Sequence, residues 1–507
     1  MAGITPNEFD KRIITECDGF IIEGRYENGF AEKAVEQYRK QPERFDIRGR
    51  IALVDADLLD NGTRHPNLAL MKISGYLKEQ GCSVRLIEDY SELYGSAAGT
   101  EGNDYSRALE YDAIYISKVF DFTKIDEGLT KLPNVFCGGT GFYFEYARPL
   151  PHEVEHHMPD YHLYDCFIRQ ITNSRRRNKE SWYNDYLNFS IGFATRGCFR
   201  KCDFCVNKHY NGVSFHSHIS EWLDPSRPYI YLWDDNFLAF PHWREILDEL
   251  KATGKRFQFR QGLDIRLMTD EKAKVLSEAR YYGDFIFAFD HLEEAPQIEK
   301  GLAIWRRYCT KETKLYVLAG FDSQDETEIV SVFERIRILM KYGCLPYIMR
   351  HEKYNESPYK GMFVQLARWC NQPKFFKNMS FREYCEQCQL YHKTKGTLCA
   401  PMRVMTEFEE KFPEIAGKYF DLRFSEQPYV IRWRAGREAQ REERRKAREE
   451  KERRRAERLA RKQEKGEEKA ADAGTEPDSC SKALSRLKEG RSRLMGQNKE
   501  DRDEAGN

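Results

Sequence analysis

Short apolar runs alternate with longer stretches in which apolar residues recur every three or four positions. The first series has strand-like runs at Arg50–Val54, Ser83–Ile87, Tyr111–Ile116 and Asn134–Cys137. Between the first two lies an amphipathic stretch, Leu68–Gly81, that predicts a helix ending at a glycine. A second series begins after Leu187, with strands expected at Asn188–Ala194, Tyr229–Trp233, Arg256–Arg260, Asp284–Phe289, Lys314–Leu318 and Cys344–Met349. Helical periods fall between them at Trp243–Thr253, Asp270–Ala279 and Asp325–Tyr342. Strands alternating with helices predict an α/β chain with parallel sheets. The first series reads as a Rossmann-like, doubly wound domain over 48–150. The second reads as a (β/α)6-type partial TIM barrel over 186–365. Residues 1–47 are polar with scattered aromatics and predict no element. Residues 151–185 carry His152, His156, His157 and His162, whose spacing could bind metal, but their Pro and acidic content reads as an exposed linker.

Past the second series the pattern changes. Residues 366–430 form a small cysteine-bearing unit, and 431–507 a charged tail. From Ile431 to Ala470 there are 17 Lys and Arg against 10 Asp and Glu, an excess of seven positive charges. Apolar residues there are almost only Ala, so a helix forms readily but has no face to bury. Glu and Arg at i,i+4 can hold it as a solvated helix. Ala471–Asn507 reads as disorder. The whole chain has 507 residues with 82 basic and 82 acidic side chains, so its zero net charge is a sum over unlike regions. No apolar stretch is long enough to span a bilayer, and the N-terminal segment has no apolar signal region. A cytoplasmic protein without membrane contact is therefore expected, and its 14 cysteines are read as thiols, not disulfides.

The sharpest chemical signal follows the first strand of the second series. Cys198, Cys202 and Cys205 lie within eight residues on an expected loop, with Phe204 just before the last. Three converging thiols can hold a metal or an iron–sulfur cluster, and three where a cubane takes four leave one iron open. A zinc knuckle with His209 as fourth ligand is the structural alternative.

This C-x3-C-x2-C spacing, its aromatic and its strand context resemble the radical S-adenosylmethionine superfamily, over residues 185–365. The resemblance implies that Cys198, Cys202 and Cys205 ligate a [4Fe–4S] cluster. S-adenosylmethionine would chelate the open iron, be cleaved by one electron and yield a 5′-deoxyadenosyl radical. It implies an external donor such as flavodoxin or ferredoxin and leaves the substrate unidentified. Asp234, Asp235 and Asn236 stand where the family binds the methionyl ammonium. Arg260, Gln261, Asp264 and Arg266, after the third strand, suit ribose and carboxylate; a surface pair between Asp264 and Arg266 is the alternative. Gly320 resembles the family's glycine near the adenine, and Asp325 could equally cap the next helix.

Residues 48–150 resemble the cobalamin-binding-like domain of one branch, through the Arg50–Val54 strand, the Thr63–Asn67 loop and the glycine turn after Cys137. The branch's D-x-H-x-x-G motif is absent, so cobalamin binding stays open. Cys370, Cys385, Cys388 and Cys399 suggest a second metal centre, an auxiliary iron–sulfur cluster or zinc, with His392 as a substitute for Cys370 and the C-x2-C pair on a turn. Two rival functions are a zinc protein that binds nucleic acid through the basic tail, and an RNA-modifying methyl- or methylthiotransferase of the same superfamily.

Overall fold

The computed structural model describes residues 8–95, 103–173, 183–394 and 396–472, with side chains described as far as 461. Cys480 and residues 473–507, expected to be disordered, lie outside the described residues. The chain is a mixed α/β protein with parallel sheets. It divides into two units, Met1–Ile431 and Arg432–Asn507.

The first unit opens with a hairpin of β1 (Ile14–Cys17) and β2 (Phe20–Glu23), followed by the helix Phe30–Tyr38. The sequence pattern predicts nothing here. Each strand has only four residues, β1 mostly exposed and β2 burying only Ile22, so no alternation of buried and exposed positions develops. β3 (Arg50–Asp55), β4 (Ser83–Leu86), β5 (Ala113–Ser117) and β6 (Val135–Gly138) then form a parallel sheet in the order β4-β3-β5-β6. Its alternation works as strand geometry requires. Ile51, Leu53, Ala113 and Tyr115 pack on one face with Leu70, Met71 and Leu77 of the helix Leu68–Glu79. Ala52, Val54, Ile114 and Ile116 pack on the other with Leu93, Ala108 and Leu129.

β7 (Phe189–Gly192) is followed by a short antiparallel pair, β8 (Thr195–Arg196) with β9 (Ser214–Phe215). β10 (Tyr229–Leu232) and β11 (Arg256–Phe259) join β7 in a parallel sheet ordered β11-β10-β7. β12 (Phe285–Ala288), β13 (Thr313–Ala319) and β14 (Leu345–Arg350) form a second parallel sheet in that order. A parallel bridge between Leu263 and Phe287 links the two. Ile230, Leu232, Phe257, Phe259, Phe285, Phe287, Leu315 and Val317 share one core with the apolar faces of the intervening helices. Tyr231, Phe189 and Ile191 face the other way and meet Leu68 of the first sheet domain.

Residues 366–430, expected as a small unit of their own, share the core of the preceding strands. Phe363, Leu366 and Trp369 of the helix Lys360–Cys370 join the same core, with Phe376, Phe381, Phe408, Tyr419 and Phe420. Their apolar residues are spaced for helices and not in runs, which hid them from a search for runs. The C-x2-C pair also lies on a helix, Phe381–Leu390, not a turn. Ser380 caps it, its hydroxyl accepting from the Glu383 amide while Glu383 reaches back to the Ser380 amide.

The helix Pro428–Asp472 runs into the second unit. There Arg445 pairs with Glu442 and Glu449, and Arg448 with Glu452, all exposed. Among the described residues no helix is long and apolar enough to cross a membrane.

Candidate functional site

The cysteine loop is built on the end of β7. Gly192 is packed so closely that a Cβ would fall 2.3 Å from the Trp222 ring. The chain then passes through β8, and the β8–β9 pair closes the base of a loop that carries Cys198, Cys202 and Cys205. Gly197 enters it at φ +97°, where an added Cβ would meet the Gly212 carbonyl at 2.5 Å.

Two carboxylates after β10 fix this base. Asp234 is buried and accepts from the Ala194 amide at 3.2 Å, the Thr195 amide at 2.7 Å and the Thr195 hydroxyl at 2.6 Å. Burial pushes its pKa up to about 7 against the pull of those hydrogen bonds. Asp235 accepts from the Gly197 amide and from Asn207 Nδ2, each at 2.8 Å, and lies 3.5 Å from Arg196 Nε. Gly197 precedes the first cysteine and Asn207 follows the last, so one carboxylate holds both ends of the triad. Both aspartates, expected from sequence at a ligand, spend these oxygens on the loop.

The sulfurs receive hydrogen bonds from the chain. The Arg200 amide points at Cys198 Sγ at 3.3 Å, and the Asn207 amide at Cys205 Sγ at 3.4 Å. Asn236 Nδ2 donates to Cys198 Sγ at 3.3 Å, while its Oδ1 is buried without a hydrogen-bond partner. Burial pushes the Cys202 thiol up to about 11 and raises that of Cys205. Thiolate there needs a cation to compensate it. Among the described residues the three sulfurs do not all lie within 4.8 Å of one another. A tetrahedral zinc with Zn–S of about 2.3 Å would bring its thiolates to about 3.8 Å. His209, the expected fourth zinc ligand, instead pairs with Glu27 at 2.6 Å and Glu145 at 3.0 Å.

The loop leans over the carboxyl ends of the neighbouring strands. Arg200, between the first two cysteines, donates from Nε to Asp264 Oδ2 at 2.7 Å. Asp264 also accepts from Arg266 Nε at 2.6 Å and Nη2 at 3.0 Å, and Arg266 reaches Glu294. Burial raises the Asp264 pKa, but the two guanidinium groups outweigh it and hold the carboxyl below its ordinary value. Asp264 and Arg266 do pair, but buried and not at the surface as the alternative had it, and the Arg200 bond to Asp264 ties the loop to the end of β11. Phe204 crosses to the other sheet, 6.0 Å from the His291 ring after β12 and 5.4 Å, edge-on, from Phe321 after β13. Asp290, beside His291, is raised to about 6, chiefly by burial.

The remaining expected residues divide. Arg260 lies after β11 but points to the first sheet domain, its Nη2 2.7 Å from His65 Nε2. Gln261 is exposed. Gly320, at φ +75°, ends β13 against Tyr354, and its amide donates to Glu328 at 3.0 Å. Gln324 donates to the Gly320 carbonyl at 3.0 Å and has a buried Oε1 without a partner. Asp325 caps the helix Glu326–Lys341, accepting from the Thr327 amide at 2.9 Å. The glycine turn after β6 approaches its own chain: Cβ atoms on Gly139 and Gly141 would meet the carbonyls of Lys118 and Phe120 at 2.3 and 2.6 Å.

Of the C-terminal cysteines, Cys385 is raised by burial and then by Cys388 and Cys399, and Cys388 by burial and by Cys399. Cys370 is raised by burial alone, inside the aromatic core. His392 bonds Thr397 Oγ1 at 3.1 Å. Sequence reasoning missed Arg200 and Asn207, though both sit inside the cysteine loop. The histidine linker is exposed only in part: His162 is exposed, whereas the His156 side chain is 9% exposed and salt-bridged on both ring nitrogens.

No family model matches this sequence, and no curated protein matches it. Solved structures similar to it include the radical S-adenosylmethionine methyltransferase TsrM from Kitasatospora setae, with cobalamin and a [4Fe–4S] cluster bound. The identity is 13%, covering 69% of this chain and 80% of that one, at a TM-score of 0.39. The cobalamin-dependent S-adenosylmethionine radical enzyme OxsB, with aqua-cobalamin and S-adenosylmethionine bound, is also similar. It is 13% identical, with 74% of this chain and 57% of that one covered, at a TM-score of 0.28. Both likenesses are distant.

Proposed function

We propose that this chain is a radical S-adenosylmethionine enzyme whose cluster is held by Cys198, Cys202 and Cys205. The observation that carries the reading is the loop itself: three thiols at C-x3-C-x2-C spacing, set over parallel strand ends, with amide donors aimed at two of the sulfurs. The residues fit such a group. His209 is taken by Glu27 and Glu145 and does not complete a zinc site, and Asn236, bonded to Cys198 through Nδ2, keeps a buried Oδ1 without a hydrogen-bond partner. When bound, a [4Fe–4S] cluster with one open iron supplies the electron that cleaves S-adenosylmethionine and starts radical chemistry.

The chain's own part is positioning and exclusion. Asp234 and Asp235 keep the loop base rigid, and Arg200–Asp264–Arg266 ties its crest to β11. Amide donors to sulfur stabilise thiolate and tune a cluster's potential. Phe204 walls the site toward β12 and β13. Asn236 Oδ1 and Gln324 Oε1 offer acceptors at the ends of β10 and β13, suited to an ammonium and to hydroxyl or amino groups. The six parallel strands are read as a partial barrel with this site at its carboxyl end. Cobalamin does not fit as well. The glycine turn packs on the carbonyls of Lys118 and Phe120 at Gly139 and Gly141 and faces open space at Gly138, while Asp57 accepts from the Val119 amide at 2.7 Å; no residue is assigned to that cofactor. Cys385, Cys388 and Cys399 are assigned to a second metal centre without Cys370.

The test is anaerobic reconstitution with iron and sulfide, then S-adenosylmethionine and dithionite. Formation of 5′-deoxyadenosine, lost in Cys198→Ala, is the expected outcome. A fully loaded protein that cleaves no S-adenosylmethionine would overturn the assignment.

A further inference from the structure

We infer that Glu23, His156 and His216 form a binding site for one divalent cation of the zinc class, apart from both cysteine sets. Among the described residues, one ligand atom from each of these three side chains lies within 4.8 Å of the others. They come from distant parts of the chain. Glu23 ends β2, His156 follows the short helix His152–Glu155, and His216 follows β9, the strand that closes the cysteine loop.

The distances suit coordination. His156 Nε2 lies 3.0 Å from Glu23 Oε2 and 3.3 Å from Oε1. Zinc holds nitrogen at about 2.0–2.1 Å and carboxylate oxygen at about 2.0–2.2 Å, so adjacent ligand atoms of a tetrahedron sit about 3.3 Å apart. The His156 and His216 rings are 4.9 Å apart.

The surroundings are those of a metal histidine. His156 Nδ1 is 2.8 Å from Glu221 Oε2. A carboxylate on the far nitrogen fixes the ring and raises its basicity. His216 Nδ1 lies 3.2 Å from Ser217 Oγ, and its Nε2 3.3 Å from Glu155 Oε1.

Charge points the same way. Glu23, Glu155 and Glu221 surround the site. Against them stand Lys72, 2.6 Å from Glu155, and Arg12, bonded to Glu221. Arg196 acts on the group but has its own partner in Asp235. One carboxylate, Glu23, thus faces only imidazoles: His156, and His152, which it also bonds. A divalent ion bridging Glu23 to two imidazoles neutralises that oxygen pair without a proton shared on His156. Three protein ligands leave a fourth position for water or His152, whose ring lies 4.5 Å from that of His156. The ion would brace the N-terminal hairpin against the base of the cysteine loop.

The test is cobalt(II) titration of the full chain after its cysteine sites are loaded with iron and sulfide. The expected result is one equivalent of Co(II) with ligand-field bands and no thiolate charge-transfer band. His216→Gln and Glu23→Gln should each lose that equivalent at least tenfold in affinity, and His162→Gln, an exposed histidine, should not. Glu221→Gln should weaken binding about 10- to 100-fold. If the histidine variant fails to fold, Glu23→Gln alone decides, since Glu23 lies at the edge of the hairpin. Absence of cysteine-independent Co(II), or retention of it in Glu23→Gln, overturns the proposal. Neither outcome depends on S-adenosylmethionine cleavage, so it fails or stands apart from the proposed activity.

Discussion

Asp235 offers the most direct test of how the cysteine loop is held. Its two oxygens accept from Gly197 N and Asn207 Nδ2, each at 2.8 Å, at the two ends of the triad. In Asp235→Asn one oxygen remains. The side chain can satisfy Gly197 or Asn207, and presents an NH2 group to the other donor. A hydrogen bond to a charged group contributes about 1.5–3 kcal/mol, and the Asp235 side chain, 11% exposed, is shielded enough for that range to apply. If the three thiols bind iron only in the closed loop, the lost bond lowers the closed fraction by the corresponding factor. At about 1.4 kcal/mol per decade this is roughly 10- to 150-fold in cluster affinity. The assay is chelator competition under anaerobic conditions, following loss of the iron–thiolate absorbance, with Asp203→Asn, exposed in the same loop, as control. A folded Asp235→Asn protein that holds iron as tightly as the parent would refute the argument. The loop would then be set by its cysteines and the β8–β9 pair alone.

Three further outcomes are expected. Arg335 is fully buried and donates to the carbonyls of Leu318 at 2.7 Å and Asp290 at 2.5 Å, with Glu328 at 3.4 Å. Arg335→Met leaves Glu328 an unpaired buried carboxylate and should cost about 3–5 kcal/mol in denaturant unfolding; a loss below about 1 kcal/mol would contradict this. Asp55, raised by burial to about 6 from 3.8, binds its proton more tightly folded than unfolded. Its contribution is full below pH about 4 and is lost as pH rises through about 6, by at most about 3 kcal/mol. The difference in stability between parent and Asp55→Asn should change over that window and be flat above it. Cys388→Ser and Cys399→Ser should each lower bound metal at the C-terminal centre, and Cys370→Ser should leave it unchanged, as read by metal content with the first triad intact.

Where apolar residues keep a strict period, the elements could be read from the chain alone. β13 alternates buried and half-exposed side chains over its full length, and the strand expected there falls inside it. β3 and β5 alternate between two cores, one on each sheet face, which is what a doubly covered parallel sheet demands. The hairpin β1–β2 is too short for a period to emerge, and its burial comes from Phe30, Val35 and Tyr38 of the following helix. The C-x3-C-x2-C spacing was legible because it is local. The network that positions it was not. Asp264 meets Arg200 across 64 residues and Asp235 meets Asn207 across 28, and nothing in a one-dimensional pattern marks which carboxylate will face which donor. The histidine linker shows the same limit in reverse. Its acidic and proline content reads as solvated, yet Glu23 and Glu221 come from elsewhere to enclose it.

Arg260 shows how the first sheet domain is fixed over the strand ends. A guanidinium only donates, so the His65 Nε2 facing it at 2.7 Å must accept. The proton of a neutral imidazole then sits on Nδ1, which faces Asp185. Asp185 also accepts from the Tyr231 hydroxyl at 3.2 Å, and Tyr231 stacks on Phe189 of β7. His65 belongs to the loop before the helix Leu68–Glu79, and Leu68 packs on Phe189, Ile191 and Tyr231. The polar chain reaches β10 and the end of β11 and the apolar contact β7 and β10, so both hold this stretch of chain on one sheet. The sequence places Arg260 among ligand-binding groups because of its strand-end position. Its partners instead make it the join between domains, and that join sets how close residues 63–67 lie to the end of β11.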